Sequence, residues 1–430
     1  MSDSASKTLT PAQSSLFARL AAEYGSPLYI YDAERIRDQY RKVAQFDTVR
    51  FAQKACSNTH ILRLLRSLGA SVDCVSTGEL ERALRAGFTP GVATDGHAEI
   101  VYTADLLTVV SLQRIMALGI PINAGSENMV EQVGAAQASF AKTSYPLWIR
   151  VNPGFGHGHS QKTNTGGASS KHGIWHENLP QVFEVIKRYG LRLEGIHMHI
   201  GSGADMDHLA RVCDAMVSVV RRAVAADIDI RAISGGGGLS IPYRTTDKEV
   251  DPVAYFERWN NARREVATIL GHDVGLELEP GRFLVAQSGF LLTEVRATKS
   301  MGTNHFTLVD AGFNDLVRPA MYGAHHEISV LSANGQTSVA NVIPTVVAGP
   351  LCESGDVFTQ NAQSEVLPRP LAQAQVGDLL VLHDCGAYAA SMASNYNSRP
   401  LAPEVLIDGG DARLIRRRQT IEELLALEEV

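Results

Sequence analysis

The chain has 430 residues, 45% of them hydrophobic and 20% charged, an ordinary globular composition that excludes wholesale disorder. That length accommodates an α/β barrel of roughly 250 residues and a further domain of about 100 to 150. Lysine and arginine number 39 against 46 aspartates and glutamates, a net charge of -7, so nothing global attracts a phosphate backbone and nucleic acid is not an expected partner.

The N-terminal stretch MSDSASKTLTPAQSS has no basic start followed by an apolar core, and no uncharged apolar run reaches eighteen residues. A cytoplasmic protein without a membrane partner is expected. The five cysteines, Cys56, Cys74, Cys213, Cys352 and Cys385, show no C-x-x-C spacing, which suits a reduced thiol pool and no zinc. LYIYDA (28 to 33) reads as a strand ahead of the main repeat, able to pair with a later β domain and so bring both termini into one unit.

From residue 49 to 281, eight β-rich runs alternate with helical periodicity: VRFAQKA (49–55), SVDCVS (71–76), EIVYTA (99–104), IPINAGS (120–126), PLWIRVNP (146–153), LEGIHMHIG (193–201), IRAISGGGG (230–238) and VGLELEPG (274–281). Between the first two, Ile61, Leu64, Leu65 and Leu68 form one apolar helical stripe; the next helix starts at Thr77 and stops at Gly87. Eight strand–helix units predict parallel strands with right-handed crossovers. A doubly wound open sheet is the alternative, and closure into a barrel is favoured because Lys54, Asn152, His199, Gly236, Gly237, Gly238 and Glu279 all fall at C-terminal strand ends, which a barrel gathers on one rim. The segment 154–172, long and polar, reads as a mobile piece at that rim or a surface insertion. After residue 284, short alternating runs with turns read as a mainly β domain. The division is therefore 35–283 for the barrel, with 1–34 and 284–430 forming the second domain. Arg416, Arg417 and Arg418, followed by Glu422 and Glu423, read as a charge-laced terminal helix.

Lys54 sits in an apolar run where loss of hydration would lower its pKa and make it a nucleophile towards an aldehyde; a lysine snorkelling at the rim is the plain alternative. Only glycines let several backbone N–H groups close on an anion, so Gly235 to Gly238 after the seventh strand, with Gly281 and Arg282 after the eighth, suggest a phosphate site, or else a tight structural turn. His197 and His199 share a strand face that Met198 opposes. A metal there would need further ligands that the other strand ends do not supply, whereas a flat imidazole can stack on an aromatic cofactor, with Ser202 near its phosphate. Glu277 and Glu279 also share a face, so their repulsion requires a partner; a structural Glu279 would pair with an arginine such as Arg282. CESGD (352–356) concentrates a thiol and carboxylates in one turn, either a site or a structural cysteine.

Nine segments in order, FAQKACSN, VDCVSTGELERAL, IRVNPGFGHGHSQKTNTGG, GIHMHIGSG, GGGGLSIPY, LELEPGRFLVAQSG, LVDAGFNDLVRPAMYG, VAGPLCESGDVF and GAYAASMASNYNSRP, resemble the diaminopimelate decarboxylases, which belong with the ornithine and arginine enzymes to the barrel-type decarboxylases dependent on pyridoxal phosphate (PLP). The resemblance implies a PLP-binding TIM-like barrel with a mainly β C-terminal domain, an alanine-racemase-like fold, and decarboxylation of meso-diaminopimelate to L-lysine, the last step of lysine biosynthesis. It implies that Lys54 holds PLP as an imine, that His199 stacks on the ring, and that Glu279 faces the pyridine nitrogen, where a carboxylate favours the protonated ring. Gly236, Gly237, Gly238, Arg282 and Tyr388, with Ser202 and Gly281, resemble the phosphate-side ligands. Arg282, Arg318, Tyr322, Glu353 and Tyr388 resemble the substrate contacts, and Cys352 the acid that returns the proton. A homodimer with shared active sites is implied too. Glu353, where ornithine-type relatives carry aspartate, and Arg318 with Tyr322, suited to a carboxylate at the far end of the substrate, argue against ornithine, arginine or a carboxylated polyamine as substrate. An alanine racemase-like enzyme, a catalytically inert homologue and a metal-dependent hydrolase using His197 and His199 are the remaining alternatives. The connection GFTPGVATDGHAEIVYTADLL departs from many relatives in lacking a threonine–glycine turn.

Overall fold

Each of the eight β-rich runs contains a strand of the computed structural model, which describes residues 7–94, 96–140, 144–156, 165–199, 201, 206–338 and 341–430. In chain order the strands are β1 (Leu28–Asp32), β2 (Thr48–Ala52), β3 (Ser71–Cys74), β4 (Ile100–Ala104), β5 (Ile122–Ala124), β6 (Pro146–Asn152), β7 (Ile174–Trp175), β8 (Arg192–His197), β9 (Ala232–Ser234) and β10 (Gly275–Leu278). They continue with β11 (Gly289–Met301), β12 (Asn304–Val309), β13 (Ile328–Leu331), β14 (Val342–Ala348), β15 (Arg369–Ala372), β16 (Leu379–Leu382), β17 (Glu404–Asp408) and β18 (Asp411–Arg416). Two compact units result: residues 37–240 with 250–284, and residues 1–36 with 241–249 and 285–430.

In the first unit β2, β3, β4, β5, β6, β8, β9 and β10 pair in parallel, and β10 returns to β2, so the sheet closes into a barrel. The helices between them follow their local signals. Asn58 caps Thr59–Ser67, whose Ile61, Leu62, Leu64 and Leu65 are buried; Ser76 caps Thr77–Ala86, which ends at Gly87 with φ +99°. Several strands are shorter than the runs that announced them. β2 stops at Ala52 and Gln53–Ala55 turn into a 3-10 helix, while β9 keeps three residues of IRAISGGGG. Two-residue β7, beside β6, carried too short a run to be read.

Side-chain alternation sends every second strand residue to the barrel interior. Several of these residues are polar and meet across strands: Asn123 Nδ2 donates to Thr103 Oγ1 at 3.2 Å, and the Arg50 guanidinium holds Glu277 through two 3.0 Å hydrogen bonds. Arg50 is the partner that the Glu277–Glu279 pair required. Because both members of this ion pair are buried, Arg50→Ala strands a carboxylate and is expected to cost about 3–5 kcal/mol. The check is the midpoint of urea unfolding; an unchanged midpoint would contradict this account.

The second unit is built on a sheet ordered β15-β14-β12-β11-β1-β17-β18, with β16 pairing both β11 and β13. β1 lies antiparallel to β11 and parallel to β17, so the N-terminal strand joins this sheet. Leu28, Ile30, Phe290, Leu292, Val381 and Val405 pack into one core beneath the helix Pro11–Tyr24, whose Phe17 meets Phe290 edge-on at 5.1 Å. That helix was not foreseen in a stretch assigned to a mainly β domain. Its signals were a Thr10–Gln13 capping box and Pro11 at the first turn. The arginine run also requires correction. Arg416 ends β18 and pairs with Glu404 at 2.9 Å, Arg418 donates to the carbonyl of Pro27 at 3.0 Å, and the helix begins only at Ile421, with Arg417 reaching back to Glu423. Among the described residues, no helix is long and apolar enough to cross a membrane.

Candidate active site

The barrel unit gathers the predicted rim residues because strand ends, not sequence neighbours, are adjacent there. Glu279 follows β10 and is 8% exposed. Its Oε1 accepts a hydrogen bond from Ser234 Oγ at 3.1 Å, and His197 Nε2 stands 3.0 Å from Oε2. The expected structural partner for Glu279 was an arginine; the partner present is His197, which is thereby committed to a carboxylate. Burial alone raises the Glu279 carboxyl, but the adjacent His197 and the charge of Arg50 outweigh it and hold the group low. Asp73 on β3 goes the other way: burial and the charge of Glu279 raise it above the usual carboxylate range.

The tetraglycine turn wraps around the same corner. Gly236 (φ +60°) and Gly238 (φ +118°) occupy left-handed conformations, and a Cβ on Gly236 would lie 2.6 Å from His199 Cβ and 2.7 Å from the Met198 carbonyl. The Glu279 amide donates to the Gly236 carbonyl at 2.7 Å, tying the turn to the carboxylate, and Tyr255 Oη donates to Gly237 O at 3.3 Å. His199, just beyond β8, is half-buried with its Cε1 within reach of Gly237. Burial together with the charges of Arg150 and Lys54 keeps its imidazole neutral. A neutral flat ring, a glycine cradle and a buried carboxylate fit an aromatic, phosphorylated cofactor. His197, now bound to Glu279, leaves the pair unsuited to the metal reading. Among the described residues, no group of three or more metal-ligating side chains occurs.

Lys54 differs from expectation. It lies in the 3-10 turn after β2, off the strand alternation, so Gln53 is buried and Lys54 is exposed. The desolvation argued for its amine is therefore not a property of this structure. Arg282 is half-buried and Gly281 buried, the latter against Ala52 and Ala55. Ser202 and residues 157–164 of the 154–172 segment, including the two histidines of GFGHGHS, lie outside the described residues. Of the remainder, Asn152 is the staple: its Oδ1 accepts from the amides of Gly154 (3.1 Å) and Gly167 (2.9 Å), and its Nδ2 donates to the carbonyls of Gly167 and His172. Thr165 Oγ1 donates to the His199 carbonyl at 3.1 Å.

In the other unit, Arg318 opens the short helix Arg318–Tyr322 and is 5% exposed. Nη1 donates to His326 Nε2 at 2.8 Å while His326 Nδ1 faces the His383 carbonyl at 2.7 Å, and the guanidinium lies over the Tyr243 ring, 4.6 Å from its centroid. Burial and the charge of Arg318 hold His326 neutral. Among the described residues no carboxylate pairs with Arg318, so it is a fixed, buried cation suited to a carboxylate ligand. Tyr322 is half-buried at the end of that helix. Tyr388 takes φ +58°, a strained conformation for a bulky side chain and one often retained at functional turns. In CESGD, Asp356 is structural: Oδ1 accepts from Phe313 N (2.7 Å) and Oδ2 from Leu351 N (2.8 Å). That clamp presents Cys352 and Glu353 on the surface, so the buried structural cysteine does not apply.

The sequence reading missed Asp73, Arg150, Ser234, Tyr243 and His326. A charge inside an apolar strand run was the available signal for Asp73 in SVDCV and Arg150 in LWIRV; nothing local marks the other three.

Residues 33–286 match the family model for the pyridoxal-dependent decarboxylase, pyridoxal binding domain. The chain is 59% identical over 411 residues to a diaminopimelate decarboxylase of Escherichia coli (strain K12), covering 95% of each. A crystal structure of diaminopimelate decarboxylase superposes with a TM-score of 0.92 at 57% identity, covering 98% of both chains. That of the Helicobacter pylori enzyme complexed with L-lysine gives 0.85 at 30%, covering 96% of this chain and 99% of the other.

Proposed function

The chain belongs to the diaminopimelate decarboxylases, within the pyridoxal-dependent decarboxylases, and on that premise we propose that it removes carbon dioxide from meso-diaminopimelate to give L-lysine, with pyridoxal 5'-phosphate held at the barrel rim. The observation that carries the site assignment is Glu279, a buried carboxylate set between His197 and Ser234 beside a glycine cradle. When bound, PLP supplies the electron sink that makes loss of carbon dioxide feasible.

The protein residues hold, orient and move protons. The Lys54 amine would be the covalent anchor for the cofactor's aldehyde. Glu279 would face the ring nitrogen and favour its protonated form, the His199 imidazole would pack against the ring, and the amides of Gly236, Gly237 and Gly238, with Arg282, Gly281 and Tyr388, would serve the phosphate. Arg318 and Tyr322 hold the carboxylate at the far end of the substrate, assisted by Glu353. The Cys352 thiol delivers a proton to the carbon that carbon dioxide has left. Cys352 and Glu353 are exposed on their own unit, which supports a homodimer whose partner subunit completes the site, in the cytoplasm.

The test is release of carbon dioxide and lysine from meso-diaminopimelate by PLP-loaded protein, with ornithine and arginine in parallel. Turnover of diaminopimelate alone is expected. Comparable turnover of ornithine would overturn the roles given to Arg318 and Glu353, and no turnover of any of the three would overturn the function.

A further inference from the structure

An arginine that binds a carboxylate needs both a fixed direction and its full charge, and a carboxylate neighbour supplies the first while cancelling the second. Arg318 is backed instead by an imidazole. Its Nη1 lies 2.8 Å from His326 Nε2, and His326 Nδ1 lies 2.7 Å from the His383 carbonyl. A guanidinium offers only hydrogens and a carbonyl only lone pairs, so these two neighbours fix the ring between them: the proton sits on Nδ1, and the Nε2 lone pair accepts from Arg318. The other tautomer would set N–H against N–H at one end and lone pair against lone pair at the other. A doubly protonated ring would set cation against cation at 2.8 Å, which burial and the charge of Arg318 both oppose.

The surroundings hold this arrangement and leave the charge alone. Arg318 is 5% and His326 1% exposed. The Tyr243 ring meets His326 edge-on at 5.5 Å and lies 4.6 Å from the guanidinium carbon. Arg369 Nη1, on β15, donates to the His326 carbonyl at 2.5 Å, and the His383 amide donates to the Glu327 carbonyl at 2.9 Å. Nearby carboxylates have other partners: Asp384 pairs with Lys7, and Glu327 with His325 at 2.9 Å. His325 therefore cannot stand in for its neighbour, and the His383 ring turns to Ser329 Oγ at 2.8 Å. We propose that His326 is a positioning residue, which aims the Arg318 guanidinium by accepting one of its N–H groups at Nε2 and leaves its positive charge uncancelled for the far carboxylate of the substrate.

This inference rests on the reading of Arg318 as the ligand of that carboxylate. Three variants of the PLP-loaded enzyme test it, each with its thermal midpoint and its kcat and KM for diaminopimelate. His326→Asn places an amide where Nδ1 was, keeping a donor for the His383 carbonyl, but does not reach Arg318. His326→Gln extends an acceptor to the position of Nε2, and His326→Glu extends the same acceptor with a negative charge. KM should rise by about 10- to 100-fold in His326→Asn with kcat little changed, the size of a lost hydrogen bond to a charged group. His326→Gln should recover most of that rise. His326→Glu, of nearly the same shape, should not, because its carboxylate takes the charge that the substrate needs. A merely structural histidine would instead make His326→Asn, which keeps the His383 bond, the milder of the two amides. Equal KM in the Asn and Gln variants, or a Glu variant that binds as well as Gln, would overturn the proposal. Should His326→Asn not fold, the Gln and Glu pair decides. Each substitution is repeated on Arg318→Ala, where none should raise KM further; an equal rise there would show that His326 does not act through Arg318 and would also overturn the proposal. An unchanged KM in Arg318→Ala itself would instead overturn the reading of Arg318.

Discussion

Replacement of Lys54 by alanine is expected to lower kcat for diaminopimelate by on the order of 10⁴-fold, the upper end of what one positioned acid–base group supplies, because the covalent anchor proposed for the cofactor is lost with it. The folded state should not notice. Lys54 is exposed in a 3-10 turn, and exposed substitutions away from caps and networks usually stay within about 0.5 kcal/mol. The measurement is kcat beside the thermal midpoint of the apo protein: a fall in kcat at constant stability is the expected pair. Activity within tenfold of wild type would remove Lys54 from the chemistry. The exposure of Lys54 also means that its reactivity is not explained by burial of its amine.

The second large effect is expected at Arg318. Its buried guanidinium, without a carboxylate among the described residues, is the cation we propose as the partner of the far substrate carboxylate. Truncating one side of a buried charge pair costs about 2–5 kcal/mol. Arg318→Ala should therefore reduce kcat/KM for diaminopimelate by about 10²- to 10³-fold, at 1.4 kcal/mol per tenfold, mostly through KM. Arg318→Lys should recover little, since the planar fork that donates to His326 and stacks on Tyr243 is what fixes the direction of the charge. The variant should also lose discrimination against amines lacking the far carboxylate. An unchanged KM for diaminopimelate in Arg318→Ala would place that carboxylate elsewhere.

Reading the fold from sequence succeeded where the physics is local. β-rich runs separated by amphipathic helices and Gly87 as a helix stop depend on a few neighbouring residues, as do the Asn58 and Ser76 caps that the structure adds. Eight repeats then leave few topologies, because right-handed crossovers constrain how parallel strands follow one another. What failed was also local, but weaker. The Pro11–Tyr24 helix was hidden by a domain assigned as mainly β, and the end of β2 before Gln53 was hidden by an apolar run that continued past the strand.

The site was legible as a set of residue types and illegible as a set of partners. Sequence alone put Lys54, the glycines of 235–238, Glu279 and Arg282 just beyond the C-terminal ends of their strands, because the order of the β-rich runs carries that information. It also required a partner for the Glu277–Glu279 pair without being able to say which. Only the tertiary structure decided that Arg50 takes Glu277 and that His197, not an arginine, takes Glu279. It likewise set His326 behind Arg318, with Nε2 against the guanidinium and Nδ1 facing the His383 carbonyl. The physical reason is that ionisation of buried groups is set by distances of a few ångströms between strands far apart in the chain. A sequence lists those groups but does not give the distances.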